Sequence, residues 1–267
     1  MSFPSLLGAL LGIGLLIFAV VHATQDVSSF FSVTEFLIVV GGTIAAAYMS
    51  FHHRYVNIAF KAVWWMLKKP KATREALTVE IMRLIKWSYL VQKKGLPALE
   101  GEIRNVQTDE PLIKFCLMLV TSNHTPAELR TMMETAIEAE YERSVAPVEV
   151  LRSMGANLPT FGMIGTLVGM VVMLQNFSAD MSQVGRGMSM AMLATLYGVV
   201  FARLVCYPAA FKLQQKMEIE RFRNYMIAEG LLLLAEKKGP RFMQDRLNSF
   251  LDPTIHFDMD RQIKGQT

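Results

Sequence analysis

Charge-free apolar runs divide this chain before any motif is sought. Leu6 to His22 reads LLGALLGIGLLIFAVVH without a charged residue, and Val33 to Ser50 reads VTEFLIVVGGTIAAAYMS with Glu35 alone, near its start. Met154 to Phe177 is again uncharged, and Met188 to Phe211 carries only Arg203. Each run is about long enough to cross a hydrocarbon layer of roughly 30 Å as a helix. The pattern predicts an all-α membrane protein with four transmembrane helices.

The intervals between the runs predict the rest. About a hundred residues separate the second run from the third, too many for a loop with no structure of its own. Thr125, Pro126 and Glu128 stand in capping-box order before LRTMMETAIEAEYERSV, placing an N-cap oxygen, a first-turn proline and an N3 carboxylate at a helix start. Asp109 and Glu110 precede Pro111 in a similar way, and Pro70 and Pro97 mark other helix boundaries. From Thr73 to Val91, Leu77, Ile81, Leu84, Ile85 and Trp87 or Tyr89 recur at helical spacing. The segment from Lys212 onward reads as a long continuation of the fourth span. The expected organisation is therefore residues 1–50 as spans one and two, 51–153 as a cytoplasmic helical domain, 154–211 as spans three and four, and 212–267 as a cytoplasmic C-terminal helical tail. No strand-like alternation, fixed-period repeat or low-complexity stretch occurs.

Charge orients these elements. Of 27 Lys and Arg, all but Arg186 and Arg203 fall between Phe51 and Ser153 or after Phe211. The positive-inside rule puts both blocks, and with them both termini, in the cytoplasm. The short linkers Ala23–Ser32 and Ser178–Gly187 then face outward. The first run has no preceding Lys or Arg and no following A-x-A site, so it reads as a span rather than a cleavable signal peptide. The expected location is the bacterial inner membrane, multi-pass.

Composition removes several classes of function. With 52% hydrophobic and 19% charged residues, disorder, a coiled coil and most soluble enzymes are excluded. The net charge of +4 would suggest nucleic acid if the Lys and Arg formed one dense patch; they fall in two blocks, and no nucleic-acid partner is expected. Cys116 and Cys206 read as small apolar filling. No P-loop, dinucleotide glycine fingerprint or local nucleophile motif is present, and neither an enzyme nor a cofactor is expected. His52 and His53, adjacent and on a helix, would point about 100° apart and could not jointly hold a metal.

What remains is the pair of late spans. Gly155, Gly162, Gly165 and Gly169 leave one side of the third nearly bare, which permits close helix contact. Pro159 frees a carbonyl in the preceding turn. Ala191, Ala194, Thr195, Gly198 and Ala202 make a matching stripe in the fourth. Thr166 and Thr195 are the only hydroxyls well inside these stripes, and composition alone reads each as bonding back onto its own helix. Charged side chains near mid-membrane are costly and usually functional, and the chain offers none: Glu35 is read at the outer end of its span and Arg203 toward the inner end of its own. If the chain conducts protons, the acid is expected from another polypeptide.

The string NLPTFGMIGTLVGMVVMLQNF, the helix AMLATLYGVVFA ending in a Tyr-Pro pair, and a basic tail containing Gly-Pro-Arg resemble the MotA/PomA stator subunits of the bacterial flagellar motor. The run LIVVGGT at Leu37–Thr43 and KKGLPALE at Lys93–Glu100 extend the resemblance over nearly the whole chain. The related ExbB and TolQ proteins have three spans in a different order. The resemblance implies a homo-oligomer, a pentamer, around two copies of a MotB-like partner. That partner is a single-span, peptidoglycan-binding subunit whose membrane helix carries an essential Asp. It implies a proton-conducting, torque-generating complex with Pro159, Thr166, Ala194, Thr195 and Tyr197 on the ion path and its coupling, and Gly162, Gly165, Gly169 and Gly198 in helix packing. Lys93, Lys94 and Glu100 would face the rotor protein FliG. Sodium-driven members carry two consecutive Thr where this chain has Ala194 and Thr195, so protons are the expected ion rather than sodium. Gln92, Gly101 and Arg203 depart from the family pattern; Arg203 is read as snorkelling to lipid headgroups. The alternatives from the residues themselves are a sodium-driven stator, a non-flagellar transducer serving gliding or envelope work, and a scaffold.

Overall fold

In the computed structural model the described residues are 3–23, 27–65, 74–99, 101, 110–122, 124–175, 177 and 181–251. Among them every regular element is helical. The helices are α1 (Phe3–Ala23), α2 (Val33–Ser50), α3 (His53–Trp65), α4 (Arg74–Lys94), α5 (Pro111–Thr121), α6 (Pro126–Gln175), α7 (Met181–Ala235) and α8 (Pro240–Asn248). Short 3-10 turns cover Val27–Phe30 and Leu96–Ala98, and π-helical turns interrupt α2 at Leu37–Gly41 and α7 at Ala202–Cys206.

Three of these helices, α2, α6 and α7, are long and apolar enough to cross a membrane; the apolar part of α1, Leu10–His22, is shorter. The fourth span begins earlier than its hydropathy suggests. Residues 181–187, read as part of an outward loop, are helical, because Gly187 packs directly on α6: a methyl placed on it would lie 2.7 Å from the backbone N of Met173.

The chain divides into two compact units. The first comprises Met1–Lys69 and Val145–Gln215, the second Pro70–Ser144 and Lys216–Thr267. In the first unit the buried core is built largely from small residues, Ala47, Ala59, Ala194, Ala202, Ala209 and Ala210, with Val39, Val56, Leu151 and Met154. Toward the C-terminal end of α6 the pattern inverts. Met163, Leu167 and Leu174 are exposed while Gly162, Gly165 and Gly169 are buried. This inverted arrangement suits a helix surrounded by lipid, where burial of apolar side chains supplies no drive and close backbone contact does.

The second unit has an ordinary hydrophobic core. Ile81, Leu84, Leu117, Leu129, Met133, Ile137, Met226, Leu231 and Leu234 are almost wholly buried, and α8 packs against α4. In α4 the predicted face is resolved at its ambiguous position: Trp87 enters the core and Tyr89 is exposed. The helix ends at Gly95, whose φ of 81° lies in the left-handed region that a glycine adopts without strain. The capping box forms as predicted. The Thr125 N–H donates to Glu128 Oε2 at 2.9 Å, and the Glu128 N–H donates to Thr125 Oγ1 at 3.4 Å. At α5 the outcome differs. Glu110 occupies the N-cap but its side chain makes no cap bond, because Arg223 and Arg83 take the carboxylate. Asp109 and Pro70 lie outside the described residues.

Candidate functional site

The α6 and α7 segments of the first unit meet backbone to backbone. A methyl on Gly162 would lie 2.9 Å from Ala194 O, one on Gly169 2.7 Å from Ala191 N, and one on Gly198 2.7 Å from Leu158 O and 3.1 Å from Pro159 Cα. Gly165 receives Ala194, whose Cβ would be 2.5 Å from a methyl there. Ala194 is therefore fully buried between the helices. Four residues before Ala191, Gly187 is a further member of the stripe; Arg186, directly before it, ends the uncharged run and hides the helix start.

This approach joins the two threonines. Their hydroxyl oxygens are 2.7 Å apart. Thr166 Oγ1 is also 3.0 Å from Gly162 O and 3.2 Å from Ala191 O, and Thr195 Oγ1 is 3.4 Å from Ala191 O. Each hydroxyl has one proton and two acceptor lone pairs. One threonine therefore donates to the other while the other donates to a carbonyl, and the direction can reverse without moving a heavy atom. The back-bonding expected from composition is present, with a bond between helices added to it. Thr195 is exposed and Thr166 half-buried, so the pair has an oxygen accessible from outside the hairpin.

Pro159 lies within unbroken α6, as does Pro147, which sequence reasoning passed over. Its ring removes the donor to the Gly155 carbonyl, and Gly155 itself faces the Tyr207 ring, 3.1 Å from where a methyl would stand. Gly42 is likewise bare because the Phe161 ring occupies the space of a side chain, 2.5 Å from a methyl position. Pro159, Thr166, Ala194, Thr195 and the four packing glycines thus converge on one helix pair.

Tyr197 does something else. Its hydroxyl donates to Phe30 O and accepts from the Ser32 N–H at 3.0 Å, tying α7 to the chain just before α2. No local pattern signals this bond, whose partners are more than 160 residues apart. Arg203 is exposed, with its guanidinium 5.3 Å from the centre of the Tyr207 ring. His52 precedes α3, so helical spacing does not govern it; the two imidazoles lie 4.2 Å apart, and His52 Nδ1 accepts from the Arg54 N–H at 3.3 Å. Among the described residues no three His, Cys, Asp or Glu side chains gather to hold a metal.

The second unit presents charge. Lys93 and Lys94 are exposed in the last turn of α4, where positive charge also complements the helix dipole. Glu100 lies outside the described residues. Elsewhere in this unit Arg223 binds both Glu80 and Glu110, and Arg83 joins the same two carboxylates. Burial works to raise the Glu110 carboxyl, but the hydrogen bond and charge of Arg223, supported by Arg83, hold it below the usual range. Cys116 is inert filling, its thiol pushed up to about 11 by burial.

The MotA/TolQ/ExbB proton channel family matches residues 104–225. An uncharacterized protein YtxD of Bacillus subtilis is 32% identical over 237 residues, 88% of this chain and 85% of that protein. Chemotaxis protein PomA of Vibrio alginolyticus is 29% identical over 256 residues, 94% of this chain and 96% of its own length. Motility protein A of Borreliella burgdorferi is 26% identical over 266 residues, all of both chains. Solved structures share the fold. C. jejuni MotAB superposes with a TM-score of 0.84 over 97% of this chain and 100% of that one, at 23% identity. The flagellar MotAB stator complex from Bacillus subtilis gives 0.80 over 100% and 99%, also at 23%.

Proposed function

Because this chain belongs to the MotA/TolQ/ExbB proton channel family, we propose that it is a stator subunit of the bacterial flagellar motor. In this reading it forms, with a MotB-like partner, a proton-conducting and torque-generating complex of the inner membrane. The relatives named Motility protein A and PomA, matched over nearly their full length, support the motor role. The observation that carries the mechanism is the threonine pair: a reversible hydroxyl contact set on a rigid glycine-packed hairpin.

The finer arrangement follows the same reading. Four spans, α1 among them, put both termini in the cytoplasm, and five copies surround two partner helices. The partner's Asp takes a proton and then fits differently against the face bearing Pro159, Thr166 and Thr195. Reversal of the hydroxyl pair lets that face accept a hydrogen bond from the acid or donate one to the carboxylate. One proton moving through 100 mV supplies about 2.3 kcal/mol, the drive for each step. The ring turns, and Lys93 and Lys94 sweep past FliG. Protons rather than sodium are favoured because Ala194, buried against Gly165, offers no side-chain oxygen to a hard cation.

Thr195→Val, co-expressed with the partner, keeps the size of the side chain and removes the hydroxyl. Torque in tethered cells should fall at least tenfold while the complex still co-purifies, and Thr195→Ser should restore it. Unimpaired rotation of the valine variant would remove the hydroxyl pair from the ion path.

A further inference from the structure

Glu35 does not sit at a free end of its span. It is 1% exposed, and neither carboxyl oxygen has a hydrogen-bond partner. The turn that carries it packs against the Met181–Phe201 part of α7. On one side the Ser32 N–H donates to the Tyr197 hydroxyl, and on the other the Phe36 ring meets Phe201 at 5.7 Å. Further along, Ile38 Cγ2 comes within 3.8 Å of where a methyl on Gly165 would stand. This register sets Glu35 beside the stretch Tyr197–Phe201, which lies within about 9 Å of Thr195 along the axis of α7. Glu35 thus stands beside residues in the middle of the apolar run Met188–Phe211, although it is the third residue of its own helix. Sequence alone does not show this neighbourhood, because it is set by pairing with α7 and not by position in the hydrophobic run.

We propose that Glu35 is a proton-binding site of this chain, distinct from any acid a partner brings. A buried carboxylate with no donor costs several kcal/mol, whereas the neutral acid leaves only a weakly polar group unpaired. Among the described residues no ion pair to Glu35 is formed. On the Met181–Phe201 part of α7, which packs against this turn, the titratable side chains are Tyr197, already engaged at Phe30 and Ser32, and Arg186, exposed at the start of the helix; Arg203, just beyond that part, is exposed with its guanidinium over the Tyr207 ring. Leu37–Gly41, which begins two residues after Glu35, has none. That same stretch is a π-helical turn, a wide turn often found at functional sites, and it gives the backbone beside Glu35 room to shift. Release is a plain proton transfer: the carboxyl O–H bond breaks, its electron pair stays on oxygen, and water takes the proton.

A role for this proton in coupling rests on the stator reading, but its binding does not. The test uses the complete complex purified with its partner, examined by infrared difference spectroscopy on stepping the pH, with and without sodium. Wild type should show a protonated-carboxyl C=O band that diminishes on alkalinisation. The band should vanish in Glu35→Gln and return, displaced, in Glu35→Asp. In proteoliposomes the glutamine variant should change proton flux at least threefold at one end of the pH range. Identical spectra for wild type and the glutamine variant, no displaced band in the aspartate variant, or a band that answers to sodium instead of pH, would overturn the proposal. Stalled motors with the band intact would count only against the stator reading.

Discussion

The same two helices, α6 and α7, contribute to both units, and they are packed in opposite ways. At Gly162, Gly169 and Gly198 the contact is glycine against backbone, with methyl positions already under 3 Å from main-chain atoms. In the second unit Leu129, Met133 and Ile137 of α6 and Met226, Leu231 and Leu234 of α7 bury full side chains, with arginine–glutamate pairs around them. Water supplies a drive for side-chain burial that lipid does not. One helix thus carries both packing modes, so the mode is set by the local run of residues rather than by the helix as a whole, and a bare stripe and a leucine-rich face are two answers to one problem.

Gly198→Val strikes the backbone contact where nothing can yield, since a methyl would already be 2.7 Å from Leu158 O. Loss of the assembled complex on size-exclusion chromatography is expected, while Gly185→Ala, where a methyl meets nothing within 4 Å, should assemble normally. Side-chain packing should break more gradually. Leu84→Ala, at a site with 0% exposure, should cost about 2–5 kcal/mol, read from denaturant unfolding with a probe in the second unit. Arg223→Met should cost about 1–3 kcal/mol near neutral pH by leaving Glu80 and Glu110 short of a donor. The Glu110 carboxyl is held low in the folded chain, so its contribution is complete above the ordinary glutamate range and is lost as pH falls through the lowered folded value. Acid unfolding of the second unit should therefore be shallower in Arg223→Met than in wild type. Thr125→Ala removes one half of the capping box and should lower the melting midpoint by an amount corresponding to about 1 kcal/mol.

Legibility in the sequence followed the range of each interaction. Periodic features were visible: the glycines of α6, the alanine and glycine stripe of α7, and the capping box at Thr125 all repeat or pair within four residues. The hydroxyl pair was half visible, because back-bonding is a local habit while the contact between Thr166 and Thr195 depends on how close the stripes bring the helices. Tyr197 reads as one more residue of the Thr-Leu-Tyr-Gly string, yet its bonds run to Phe30 and Ser32. Glu110 looked like a helix cap until Arg223, far along the chain, claimed it. Pro147 could have been noticed, since it interrupts an otherwise helical run as Pro159 does, but it lies outside the uncharged segment that drew the eye.

The π-helical turns at Leu37–Gly41 and Ala202–Cys206 each hold one residue more than a regular ladder would. Deleting a residue within either turn would restore the regular ladder and leave the downstream faces where they are. Elsewhere in α2 or α7 the same deletion would swing everything beyond it by about 100°. Chain length in these helices can drift over evolution at those two turns without scrambling which side chains look inward.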